Sequence, residues 1–421
     1  MMRSMFSGVS GLRAHQTWMD VIGNNISNVN TVGFKASRVT FQEIFSQTLR
    51  NAVSPSPDGG RGGINPQQVG LGMAIASVDV MQQRGSVQRT DNMTDLAIDG
   101  EGFFTLSDGD SRFFTRAGNL RMDVGGYLTV PNGMKVLGWS GDDVAARLQA
   151  TAQPINLANQ FMAAAPTNRI VFQGNLDSRT ATGAAGAIRH GVTLFDSLGG
   201  EHRADFVFTR STTVNQWNVT IEPISGAIPT TTTFPAIELV FDPDGGLYSS
   251  TVAGPININL IDAITGAADI TIPVTDLIFD TDKLTQYAVA SSVRAAEVSG
   301  YPAGSLTSLS VDNAGRVIGV FSNGQLNELA LLAVANFNNP SGLMKIGDNL
   351  FENTVNSGFL GLDAAGSAGR GMISPGTLEM SNVDLAKEFT DMIVAQRGFQ
   401  ANSRIITTSD EMLQELVNIK R

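Results

Sequence analysis

The stretch LAKEFTDMIVAQRGFQANSRIITTSDEMLQELVNIKR, residues 385–421, decides the architecture. Within it Leu385, Phe389, Met392, Gln396, Phe399, Ser403, Ile406, Asp410, Leu413 and Val417 recur at alternating steps of three and four, and seven of these ten are apolar. That spacing predicts one face of a long amphipathic helix of the coiled-coil type. Ser381, with Asp384 three residues on, resembles a capping box and predicts where the helix begins. A helix from there to Arg421 is ~60 Å long, at about 1.5 Å per residue.

The other end of the chain repeats the pattern. Met2, Met5, Val9, Leu12, Gln16, Met19, Gly23 and Ile26 follow the same alternation, and six of the eight are apolar. Such a helix ordinarily packs on the core of its own domain. Two features point elsewhere: a seam this long exceeds what a compact domain covers, and terminal elements fray unless something docks on them. Gly8, Gly11 and Gly23 each cost ~1 kcal/mol relative to alanine, so the N-terminal helix is expected to be marginal alone and to need partners. Met5, Val9, Leu12, Met19, Ile26, Leu385, Phe389, Met392, Phe399, Ile406 and Leu413 are therefore the expected assembly seam.

Between the helices the period falls to two, with turn punctuation. LAIDGEGFFTL at 96–106 and FFTRAGNLRMDVGGYLTVPNGMKVLGW at 113–139 read as short antiparallel strands joined by Gly-Gly and Pro-Asn-Gly turns. A second β block, 191–210, 216–223 and 236–250, is rich in threonine and isoleucine and suits a sandwich or barrel. A third, 306–337, holds the Asn323-Gly324 hairpin signal. Residues 51–72 are rich in Pro, Gly and Ser, as in a linker or extended arm. Small-residue joins at 153–166 and 287–301 mark candidate boundaries. The expected fold is mainly β with long terminal α-helices: a helical terminal domain (1–30 and 378–421), an extended arm (31–90), an inner β domain (91–150 and 291–377) and an outer one inserted in it (151–290). Strand and helix do not alternate, which argues against a parallel α/β fold.

Composition narrows the chemistry. With 421 residues, 42% hydrophobic and 16% charged, the chain is long enough for two or three packed domains. A net charge of −11 without a basic run disfavours nucleic acid and anionic membranes as partners. The longest apolar run, 329–335, is far short of the ~20 residues that span a bilayer. MMRSMFSGVSGLRAHQ lacks a continuous apolar region and a cleavage site, so no cleaved signal peptide is expected. Cysteine is absent, which excludes disulfides and thiol catalysis. His15 falls beside seam position Gln16 and reads as interfacial or solvated, while His190 and His202 flank a predicted hairpin across which they could meet. The glycines 366, 369 and 371 follow no strand and open no helix, so they read as a loop. Asp108, Asp110, Asp242 and Asp244 build turns without the remaining ligands of an EF-hand. No metal, cofactor or catalytic motif emerges, and no enzymatic activity is expected.

The ends also carry a family likeness. VIGNNISNVNTVGFK, residues 21–35, resembles the N-terminal signature shared by flagellar rod and hook proteins, and 378–421 is similar to their terminal helix. Asn24, Asn25, Asn28, Gly33, Phe34 and Lys35 carry the first likeness, and Ser381, Asn382, Gln396 and Arg397 the second. DLAIDGEGFFTL is shared by distal rod and hook proteins, whereas the inserted β block and the run at 322–337 resemble the hook members. The resemblance implies an axial subunit, exported through the flagellar type III apparatus, that polymerises into a short curved tube and transmits torque as a universal joint. It implies as partners copies of the same chain, rod and hook-filament junction proteins, a hook cap and the export apparatus and its chaperones. The implied location is the hook, outside the cell or in the periplasm, and the alternative is a distal rod protein. Spirochaete members resemble the chain in the Pro/Gly arm but cross-link neighbours through a cysteine, which this chain lacks.

Overall fold

The computed structural model describes residues 2–54, 62–109, 111–140, 151–158, 160–223, 237–251, 256–261, 268–274 and 276–419. It is mainly β with one long helix at each end, Met2–Ser27 and Leu385–Ile419. Asp110 and the middle of the Pro/Gly/Ser stretch, 55–61, lie outside the described residues. Two compact units divide the chain: Met1–Ala158 with Leu309–Gly319 and Glu328–Arg421, and Asn159–Ser308 with Val320–Asn327.

In the first unit the two terminal helices pack along each other. Gly8, Gly11, Ala14, Ile22 and Asn25 are buried on one helix, and Glu388, Ala395 and Ser409 on the other. A Cβ at Gly11 would stand 2.6 Å from Nδ2 of Asn402, so glycine is what lets the helices approach this closely. The C-terminal helix starts one residue after its cap: the Asp384 carboxylate accepts from the amides of Ala386 (3.0 Å) and Lys387 (3.3 Å). The capping box expected from Ser381 is thus corrected. Asp384 is the cap itself, and the Ser381 hydroxyl instead accepts from the amide of Val383.

Residues 31–90, expected as an extended arm, include two antiparallel ribbons. Ser37–Glu43 pairs with Met73–Val80, with a bulge at Thr40/Phe41, and Ser46–Arg50 pairs with Gln67–Gly70. Phe41 lies edge-on to Trp18 at 5.5 Å and 6.0 Å from His15, which ties the first ribbon to the N-terminal helix. Beyond them, Val87–Arg89 pairs with Thr377–Glu379 and Leu96–Asp99 with Met372–Pro375, so the segments leading to and from the helices run together. The β core of this unit is aromatic. Phe103, Phe114, Phe337 and Phe351 are buried with Leu343, and Phe114 meets Phe337 edge-on at 4.9 Å.

The second unit is a sandwich over one core. Ile188–Phe195, Glu201–Arg210, Gln216–Pro223, Ile237–Phe241 and Leu247–Thr251 form an antiparallel meander, in sequence order. Arg169–Asn175 sits between Asp276–Thr285, parallel to it, and Arg294–Val298, antiparallel. Phe172, Phe206, Phe208, Trp217, Leu239 and Phe279 share the interior, with Phe172 stacked on Phe279 at 5.6 Å. The two histidines do not meet across the hairpin, contrary to expectation, because the register sets His190 opposite Phe206 and His202 opposite Leu194. His190 Nε2 accepts from the amide of Ala295 at 3.1 Å, and His202 Nε2 lies 2.9 Å from Asp196 Oδ2.

Candidate assembly surface

The helix pair uses two different faces. Its inner seam is narrow and made largely of small and polar groups: Gly8, Gly11, Ala14, His15, Ile22 and Asn25 oppose Glu388, Ala395, Gly398, Asn402 and Ser409. Glu388, Ala395, Asn402 and Ser409 recur every seventh residue, and Ser4 Oγ lies 3.5 Å from Ser409 Oγ. Sequence reasoning missed this seam because hydrophobicity does not mark it; the signal was small residues at steps of three and four.

The sequence-predicted apolar stripe flanks that seam, and Ile406 enters it, its Cγ1 3.3 Å from where a Cβ at Gly8 would stand. Met5, Val9, Leu12, Met19, Ile26, Met392, Phe399, Ile406 and Leu413 are half-buried, while Leu385 and Phe389 are exposed, Phe389 by 51%. Phe6, Ile393, Val394, Met412, Leu416, Val417 and Ile419 are exposed as well. An apolar surface of this extent on a helix pair marks an interaction site.

Two ionisable groups sit in the seam, and both are pushed toward neutrality. Burial raises the Glu388 carboxyl above its ordinary range, against a hydrogen bond from Asn25 Nδ2 at 3.2 Å. Burial lowers the His15 imidazole, whose Nδ1 is buried without a hydrogen-bond partner.

The signature residues cluster at the base of the pair. Asn25 bridges to Ser37, its Oδ1 accepting from the Ser37 amide (3.0 Å) and its Nδ2 donating to the Ser37 carbonyl (2.8 Å). Asn382 Oδ1 accepts from the Ala36 amide at 2.8 Å, and its Nδ2 donates to the carbonyls of Met81 and Gln83. Lys345 Nζ sits over the Phe34 ring at 4.1 Å and donates to the Lys35 carbonyl; burial lowers its pKa. Lys35 itself is fully buried against Glu379, Nζ to Oε1 2.7 Å, with Arg116 Nη1 on the second carboxylate oxygen at 3.4 Å. Burial lowers the Lys35 pKa, and the attraction of Glu379 opposes it. Asn28 caps its own helix end, donating to the Asn24 carbonyl and accepting from the Thr31 hydroxyl. Gln396 and Arg397 stand apart from the cluster, exposed on the C-terminal helix. Among the described residues no group of three His, Cys, Asp or Glu side chains is placed to hold a metal ion.

Curated relatives align with the whole length of the chain. Four family models match: flagella basal body rod protein at 5–35, flagellar hook protein FlgE/F/G D1 domain at 97–165, flagellar basal body protein FlaE D2 domain at 138–301, and flagellar basal body rod FlgEFG protein C-terminal at 374–419. The chain is similar to the flagellar hook protein FlgE of Borreliella burgdorferi, 40% identical over 100% of both chains, and to that of Treponema pallidum, 39% identical over 100% of both. It also resembles the flagellar basal-body rod protein FlgG of Bacillus subtilis, at 31% identity over 100% of both. With 40% identity held from end to end, the chain belongs to the flagellar hook protein family.

Proposed function

We propose that this chain is the structural subunit of the flagellar hook, polymerising through its terminal helices into a curved tube that carries motor torque from rod to filament. The observation behind this reading is the apolar face of the helix pair, left open while the chain's own seam is made mostly of small and polar side chains. Burying each Leu or Phe contributes about 1.5–3 kcal/mol relative to exposure. About a dozen such residues per subunit offset the cost of ordering the helices only when copies pack together.

In this reading 1–30 and 378–421 form the polymerisation domain, 31–90 the arm, 91–150 and 291–377 the inner β domain, and 151–290 the outer one. The helices form an inner tube stiff to twist, and the β domains slide over one another as it bends. The partners are copies of the chain, the rod and hook-filament junction proteins, the cap and the export apparatus. The protein is exported, works outside the cell or in the periplasm, and catalyses nothing.

Electron microscopy of the purified polymer tests the reading: a curved tube is expected, and a straight shaft would favour the alternative, a distal rod protein. Phe389→Asp with Ile393→Asp, both on the open face, should abolish polymerisation while the monomer keeps its thermal transition. Tubes formed by that variant would remove the helices from the interface.

A further inference from the structure

The base of the helix pair holds a deeply buried charge cluster. Glu379 and Lys35 side chains are fully buried, and Arg116 is 6% exposed. One carboxylate serves three segments that are remote in sequence. Its Oε1 accepts from Lys35 Nζ (2.7 Å) and from the Gly85 amide (3.1 Å), and its Oε2 from Arg116 Nη1 (3.4 Å). The same residue's carbonyl accepts from the Gly33 amide at 2.8 Å, and the next amide, Met380, donates to the Ser86 carbonyl. Lys35 Nζ also donates to the Gln83 carbonyl, and Arg116 Nη1 to that of Ile98.

A buried charge whose partner is removed is strongly unfavourable, because neither water nor another group compensates it. Lys35 belongs to the segment leaving the N-terminal helix, and Glu379 to the segment entering the C-terminal one. Lys35 is therefore intolerable in this place without Glu379, and Glu379 without Lys35 keeps only the Arg116 cation, at 3.4 Å. Asn382, accepting from the Ala36 amide, and Gly33, donating to the Glu379 carbonyl, add hydrogen bonds across the same two segments, so their geometry is fixed only when both are present.

We propose that Glu379, with Lys35 and Arg116, is a latch that makes order at the base of either terminal helix conditional on the other, so that the chain presents its helix pair only when both ends are in place. The inference concerns contacts within one chain and does not depend on the hook reading. Arg116 reaches the aromatic core, its Cζ 5.1 Å from the centre of the Phe103 ring, but Phe103, Phe114, Phe337 and Phe351 also pack on one another. Loss of the latch should free both junction segments together and leave that core closed.

Hydrogen exchange on the full-length monomer, wild type against Glu379→Gln, is the test. The substitution keeps the size of the side chain and removes the charge. Exchange should rise about tenfold or more, the effect of losing a charge-assisted buried hydrogen bond, in 33–37 and in 380–388 alike. Protection at 103–106 and 334–337 should stay within about twofold. A rise in one junction segment only, an equal rise throughout the β core, or no rise would each overturn the latch. Lys35→Met with Glu379→Gln removes a cation and an anion together and should restore part of the protection lost in Glu379→Gln. Additive losses would show that the two residues act independently, and would overturn it too. Should Glu379→Gln not fold, the comparison of Lys35→Met with the double variant decides on the same criterion.

Discussion

Gly33 has φ of +68°, and a Cβ added there would stand 2.6 Å from the backbone nitrogen of Ala117. Gly33→Ala should therefore destabilise the first unit by about 2 kcal/mol or more, from left-handed strain with a backbone clash added; urea unfolding of the monomer measures it. Gly23 is the opposite case, since a Cβ there meets nothing within 4 Å. Gly23→Ala should stabilise the N-terminal helix by about 1 kcal/mol, seen as slower amide exchange across Met2–Ser27. The sequence reading grouped Gly8, Gly11 and Gly23 as one weakness; only the packing separates the two that admit the partner helix from the one that admits nothing. The ionisable seam residues give opposed pH slopes. The raised Glu388 carboxyl holds its proton better in the folded chain, so its contribution is complete below the ordinary value of 4.5 and is lost as pH climbs through the folded pKa. The lowered His15 contributes above the ordinary 6.5, and loses that as pH falls. Glu388→Gln keeps an amide within reach of Asn25 and should raise the melting temperature at pH 7 but not at pH 4. Equal shifts at the two pH values would mean that the charge is not what burial penalises.

At the scale of elements, both helices, their length and the apolar face were legible, because a three-four alternation survives any tertiary context. What was not legible was which face the chain uses for itself. Ala395, Gly398 and Ser409 carry no hydrophobic signal; they matter through what they leave out, a side-chain volume that would hold the helices apart. The same blindness shifted the cap from Asp384 to Ser381, since both residue types cap and only geometry selects. The junction was half legible: the likeness of 21–35 and 378–421 to rod and hook proteins named Asn25, Gly33, Phe34, Lys35 and Asn382, but Glu379 and Arg116 had no local pattern to announce them. Ala395, fully buried between the helices, gives a test of the seam. Ala395→Leu should overpack it and cost the helix pair about 1–3 kcal/mol, lowering helical ellipticity before the β transition on heating. If that variant melted like the parent, the pairing of the two helices would contribute nothing to the chain in solution.

For the whole molecule, the sequence reading expected a β core with terminal helices that find order only among copies of the chain. The structure gives those helices a first partner in each other, and that changes what a truncation should do. Removing 385–421 leaves Glu379, Met380 and Asn382 in place, so the contacts they make with Lys35, Ser86, Arg116 and Ala36 survive. It removes Glu388, Ala395, Asn402, Ile405, Ile406 and Ser409, the helix surface that faces Gly8, Gly11, Ala14 and Ile22. An N-terminal helix with three glycines, left with only the first ribbon against it, loses the packing from which most helical stability comes. The truncated chain should thus lose more helical circular dichroism than the deleted residues account for, keep the cooperative melting of its β units, and remain monomeric by sedimentation. Tubes assembled from it would refute the assembly role of the C-terminal helix. A helical signal reduced only by the deleted share would refute the dependence of one terminus on the other.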